Sequence, residues 1–137
     1  MSFDLAQLTF TPDLRTVQPV HARLVCGMRY THVARRVRDY SHDGLARHLG
    51  SRCAVQAFHV FMDETGRAWP EPVVLNPPCQ PAFSYDEMLL TDLCTAAARN
   101  DRECFDDLVR DMIAERQRDA IWSAARRMMR YLVAIVR

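Results

Sequence analysis

Lysine is absent from this 137-residue chain, which instead contains 18 arginines. A GC-rich genome produces this bias with no functional cause, so the bias alone does not indicate phosphate recognition. Glycine is also scarce, and the four isolated glycines exclude a glycine-rich phosphate-binding loop. No apolar run approaches the roughly 18 residues that span a bilayer. The first ten residues carry Asp4 and no basic cluster, unlike a secretory signal, so we expect a cytoplasmic protein without membrane contact.

Metal and disulfide patterns are missing as well. Five cysteines, an odd number, are scattered singly and favour free thiols. No Cys-x-x-Cys or His-x-x-x-His pair occurs. The nearest combinations of His and Cys lie five residues apart, and such residues point to different sides of a helix. We therefore predict neither a metal nor a cofactor. The adjacent residues Ser41, His42 and Asp43 cannot assemble a catalytic triad, because its members come from distant parts of a chain.

The residues that are present predict an all-α fold. A 49% hydrophobic share in a chain of this length favours one globular domain, 1–137. We predict a compact bundle of four to six helices with an extended N-terminal arm at 1–18. Between 65 and 83, six glycines and prolines forbid a regular helix while apolar residues argue against a free linker, so we predict an ordered proline-rich loop.

Three helices are predicted before that loop. The first begins at Pro19, ends near 39–42 and has an apolar stripe at Ala22, Cys26, Tyr30, Val33 and Val37. A short helix over 43–49 follows, and Gly50 provides a left-handed turn. The next helix runs from Ser51 to about Glu64, with an apolar face at Ala54, Val55, Phe58 and Met62.

Two capping signals divide the second half of the chain. Ser84 and Glu87 form a capping-box pattern, and Asp101 is placed to cap a further helix. The stripe after Ser84 comprises Leu89, Leu90, Leu93, Cys94 and Ala97. The stripe after Asp101 comprises Phe105, Leu108, Val109, Met112 and Ile113. The last helix is predicted from about 117 to 136, with a break near Arg116.

Charge is unevenly distributed along the chain. Residues 15–52 hold eight arginines against two acids, residues 82–115 hold nine acids against three arginines, and residues 116–137 hold six arginines against Asp119. Such blocks usually satisfy one another across a fold. The alternative is that the basic first half binds nucleic acid through Arg29, Arg35, Arg36, Arg52 and Gln56. The segment 43–64 resembles a helix-turn-helix, but its turn is one residue short, which rotates the second helix by about 100°.

Three functional hypotheses follow. The leading one is a non-enzymatic regulatory or adaptor protein that contacts another protein, as a homodimer. Its candidate contact residues in the proline-rich loop are Trp69, Leu75 and Cys79, because long ordered loops often form contact surfaces. Its candidates in the last helix are Trp122, Met128 and Ile135, because that helix carries apolar residues on more than one side. The second is the nucleic-acid-binding regulator, and the third is an enzyme whose site appears only in three dimensions.

Overall fold

The computed structural model describes residues 12–38 and 41–136, and these residues form six helices. The helices are α1 (Pro19–Arg36), α2 (His42–Leu49), α3 (Cys53–Ala68), α4 (Tyr85–Ala98), α5 (Arg102–Val109) and α6 (Glu115–Val136). The described residues contain no strand, and one isolated antiparallel bridge joins Asp13 to Ala82. The all-α prediction is therefore confirmed. Most of the predicted arm, residues 1–11, lies outside the described residues.

Helix ends follow the capping chemistry that the sequence predicts. The Ser84 hydroxyl accepts the Glu87 amide, and the Glu87 carboxylate accepts the Ser84 amide, which completes the capping box. Asp101 accepts the Cys104 amide at the start of α5. Gly50 ends α2 with φ of 82°, in the left-handed region that favours glycine. These three predictions are confirmed.

Helix α6 organises the core. It packs most extensively against α3, and also against α4, while α1 packs against α2. The apolar stripes predicted for α4 and for the start of α5 lie inside, and Phe58 and Phe61 of α3 are fully buried in the same cluster. Burial of such side chains stabilises a fold by about 1.5–3 kcal/mol each relative to exposure.

Several boundaries differ from the predictions. Helix α1 ends at Arg36, three residues or more before the predicted end, and Arg38 has a left-handed φ of 58°. Helix α3 continues to Ala68, so the loop begins four residues later than predicted. The predicted break near Arg116 exists, but it lies at 110–114, and α6 begins at Glu115.

The apolar stripe predicted for α1 does not face the core. The inward residues are instead Val20, Leu24, Val25 and Met28, whereas Val33 and Val37 are exposed. The sequence analysis identified only one apolar stripe on this helix, and a second one, which includes Leu24 and Met28, faces the core. Helix α1 is therefore apolar on two sides, and its second side requires a separate explanation.

Candidate binding groove

The second apolar side of α1 lines an open cavity of about 250 Å³. We call this cavity the α1 groove. Its lining comprises Cys26, Arg29, Tyr30, Val33, Ala34 and Val37 of α1 and its C-terminal end, His48 of α2, and Pro78 of the proline-rich loop. Val33 and Val37 lie one helical turn apart and are 38% and 64% exposed. The groove is thus a mostly apolar surface that no described residue covers.

One wall of the groove is fixed by contacts between α1 and α2. The Tyr30 and His48 rings lie 5.0 Å apart, and the Ser41 amide donates to the Tyr30 hydroxyl oxygen at 3.2 Å. The Ser41 side chain in turn caps α2 by accepting the Gly44 amide. A Cβ atom on Gly44 would lie 2.1 Å from the Tyr30 hydroxyl oxygen, so glycine is what allows the tyrosine to pack here.

The opposite wall depends on a buried ion pair. Arg29 and Glu87 are 1% and 0% exposed, and the arginine donates from Nε and Nη2 to the two carboxylate oxygens at 2.8 Å each. The same guanidinium donates to the carbonyl oxygens of Gln80 at 2.5 Å and Ala82 at 2.9 Å. Arg29 therefore ties the end of the proline-rich loop to both α1 and α4.

Glu87 completes the attachment of the loop. It accepts the backbone amides of Ser84 and Asn76, and the Asn76 side chain donates to the Ala82 carbonyl oxygen. A buried ion pair is stable only when its remaining hydrogen-bonding groups are satisfied, and this network satisfies them. The loop between Asn76 and Ala82 is consequently held at both ends, with Pro78 against the groove.

The groove lacks the features of a reactive site. Burial raises the pKa of the Cys26 thiol, and the Arg29 charge opposes this shift only in part, so the sulfur is a neutral thiol at neutral pH. No carboxylate among the described residues lines the cavity. The lining can therefore receive apolar side chains but offers no paired acid and base.

The predicted nucleic-acid residues separate into two groups. The prediction of Arg29 as a surface contact is wrong, because its guanidinium is buried and fully engaged with Glu87 and the loop. Arg35, Arg36, Arg52 and Gln56 are exposed. Arg35 lies 3.4 Å from His59 Nδ1, and Gln56 is one turn before His59 on α3. Arg52 forms an exposed ion pair with Asp43 at 2.7 Å.

The predicted protein-contact residues are scattered. The prediction of Met128 as a surface residue is wrong, because its side chain is 0% exposed and lies within the core. Trp69 is buried, Leu75 is half-buried against the core, and Cys79 is exposed next to Pro78. Trp122 is half-buried between the guanidinium groups of Arg102 and Arg126, each 5.4 Å from its ring. The side chain of Ile135 lies outside the described part of the chain.

Sequence reasoning identified most groove residues on α1, but as core residues. It missed His48 and Pro78 as their neighbours, because only the fold brings these three segments together. The signal that could have located the groove is the presence of two apolar stripes on α1, which compete for one core.

Within 12–38 and 41–136, no three His, Cys, Asp or Glu side chains lie close enough to hold a metal ion. None of the helices described combines the length and apolar character that a bilayer span requires.

Comparison with known proteins identifies no relative of this chain. No family model, no curated protein and no solved structure matches the chain.

Proposed function

We propose that the protein is a non-enzymatic adaptor that binds an apolar, acidic segment of another protein in the α1 groove. The observation that carries the proposal is the second apolar stripe of α1, which lines an open cavity and ends in the largely exposed Val37. Exposed apolar surface next to a concave site is typical of protein contacts, and anchoring side chains that enter such pockets supply most binding energy.

The charge around the groove defines the partner. Arg36 and Arg38 flank Val37 in the chain and are exposed, and His48 is exposed on the wall formed by α2. A partner that places carboxylates around an apolar anchor complements this rim. A twofold contact between two copies through the same face would oppose arginine to arginine, which is unfavourable. The charges thus favour a different protein over the homodimer expected from the sequence.

A peptide library displayed on phage tests this proposal. We expect selection on the intact protein to enrich peptides with one apolar anchor flanked by Asp or Glu. Val37→Arg should weaken binding of the enriched peptides by about tenfold or more, since a charge would replace the apolar contact. Val74→Arg is a matched control, because Val74 is 61% exposed and does not line the groove.

Two results would overturn the proposal. Enriched peptides that bind the Val37→Arg and Val74→Arg variants equally well would place the binding surface elsewhere. A wild-type dimer in sedimentation that Val37→Arg converts to a monomer would make a second copy the occupant of the groove.

Nucleic-acid binding is the second candidate function. Arg35 and Arg36 are exposed at the end of α1, and no described carboxylate forms an ion pair with either one. Arg35→Glu with Arg36→Glu should weaken retention on DNA or RNA and flatten its salt dependence, because each lost phosphate contact lowers the log–log slope by about one. A wild-type protein that is not retained at low salt would eliminate this candidate.

A further inference from the structure

A second concave surface lies on α6, remote in sequence from the α1 groove. It is an open cleft of about 590 Å³ lined by Trp122, Ser123, Arg126, Arg127, Arg130 and Tyr131, and we call it the arginine cleft. Three arginines within five residues are neighbours on a helix, because positions three and four apart share a face. The sequence hypotheses assigned no role to this cluster as a site.

Arg126 is a fixed part of the wall. Its Nη1 donates to the Ala97 carbonyl oxygen at 3.0 Å and to Asn100 Oδ1 at 2.8 Å, and its guanidinium packs over Trp122. The Ala97 carbonyl belongs to the C-terminal end of α4, where a cation is stabilised by the helix dipole. Arg126 therefore has a structural role, because its Nη1 is engaged by acceptors at the C-terminal end of α4.

Arg127 and Arg130 differ from the arginines of this half of the chain that form ion pairs. Arg102 and Arg118 contact Asp106, and Arg110 contacts Asp107. By contrast, no carboxylate of the described residues lies within ion-pair distance of Arg127 or Arg130, which are both exposed. The sequence from 120 to 136 contains no acid at all. Two neighbouring cations without a partner form a local positive potential that attracts an anion.

We propose that the arginine cleft binds the phosphate groups of a small phosphorylated ligand. The Arg127 and Arg130 guanidiniums would each offer paired donors to phosphate oxygens, a geometry that lysine cannot match. The Ser123 hydroxyl, one turn before Arg127, would supply a further donor. Two unpaired cations suit a compact phosphate better than a nucleic-acid backbone, which proteins often engage through six to ten contacts, as a rough guide.

Trp122 makes the binding measurable with inorganic tripolyphosphate, which does not absorb where tryptophan emits. The chain has two tryptophans, and Trp69→Phe leaves Trp122, in the cleft lining, as the only source of tryptophan emission. We expect a saturable change in emission on titration at low salt. Phosphorus-31 line broadening of tripolyphosphate with the unmodified chain gives the same answer if Trp69→Phe fails to fold.

Charge reversal locates the site. Arg127→Glu with Arg130→Glu should weaken tripolyphosphate binding by about tenfold or more, since attraction becomes repulsion. Arg47→Glu with Arg116→Glu is the matched control, because it changes the net charge equally at two exposed arginines that do not line the cleft. Equal weakening by both pairs would show non-specific attraction and overturn the proposal.

Competition tests whether phosphate is the recognised group. ATP should displace tripolyphosphate while adenosine should not, which would show that the source of the phosphate is immaterial. Displacement by adenosine would overturn the proposal, because the nucleoside would then be the recognised part. Saturable binding of an oligonucleotide that tripolyphosphate cannot displace would overturn it in favour of a nucleic-acid surface.

Discussion

Arg29 and Glu87 lie 58 residues apart in the chain, yet they form a buried ion pair with two contacts of 2.8 Å. The pair connects α1 to α4 and, through the carbonyl oxygens of Gln80 and Ala82, orders the loop that carries Pro78. The groove and the core of the protein therefore share one network, and stability and binding should respond together when it is broken.

The first prediction concerns this pair. Arg29→Met and Glu87→Leu should each lower the free energy of unfolding by about 3–5 kcal/mol, because each leaves a buried charge without its partner. The double variant should lose less than the sum of the single losses, since neither charge remains. Urea denaturation of the wild type, the two single variants and the double variant measures this coupling. Strictly additive losses would contradict the network described above.

The second prediction concerns the start of α4. Ser84→Ala removes the oxygen that accepts the Glu87 amide, and it also removes the bond that the hydroxyl donates to the Val74 carbonyl at 2.7 Å. We expect a loss of about 0.5–2 kcal/mol in the free energy of unfolding. Ser123→Ala, at an exposed position within α6, should change it by less than about 0.5 kcal/mol. Equal denaturation midpoints for both variants would show that the cap contributes nothing.

The third prediction is that alanine substitutions at two glycines change the stability of the protein in opposite directions. Gly44→Ala should destabilise the protein by about 1–3 kcal/mol, because the new methyl group meets Tyr30 and Ser41. Gly66→Ala should stabilise it by about 0.5–1 kcal/mol, since alanine favours the helix and no atom lies within 4 Å of the added Cβ. Thermal denaturation of the two variants checks the signs, and a Gly44→Ala variant as stable as the wild type would contradict the Tyr30 packing described above.

Because Tyr30 lines the α1 groove, the Gly44→Ala variant should also lose affinity for peptides selected on the wild type. The Gly66→Ala variant should keep that affinity.

The fourth prediction concerns pH. Burial lowers the pKa of the His21 imidazole from its ordinary value of 6.5, Asp92 opposes the shift and Arg99 supports it. Below about pH 6.5 the unfolded chain therefore binds more protons than the folded one, and the free energy of unfolding falls as the pH decreases. The pKa of His59, lowered by burial and by Arg35, acts in the same direction.

His21→Gln should make this fall shallower, while the amide can still donate to Thr95 Oγ1, which lies 2.8 Å from His21 Nε2. Denaturation midpoints between about pH 5 and 7 measure the slope for both proteins. A His21 resonance that titrates above 6.5 in the folded protein would reverse the sign and contradict the argument.

Local sequence signals predicted the helices well, and the failures have a common physical origin. The caps at Ser84 and Asp101 depend on residues three apart, so the sequence alone places them. Arg29 was predicted to be exposed because an arginine on a helix usually is, and its partner Glu87 is too distant in sequence to be recognised. Met128 was predicted to be exposed because α6 carries more apolar residues than one contact requires, but α6 packs against both α3 and α4.

The α1 groove could be predicted only in part for the same reason. Periodicity found Cys26, Tyr30, Val33 and Val37 as one stripe, but it could not decide which of two stripes enters the core. That choice depends on α2, α4 and α6, which pack against α1, and α4 and α6 are remote from it in sequence.

The position of α6 between α3 and α4 also has a consequence for synthesis. While a ribosome makes the chain from its N-terminus, the inward faces of α3 and α4 emerge before the helix that covers them. Phe58 and Phe61 are then transiently exposed, and such surfaces promote association between incomplete chains. A stop codon before Glu115 should therefore yield aggregates rather than a smaller folded protein, and the cell's chaperones should engage the nascent chain during the interval before α6 emerges.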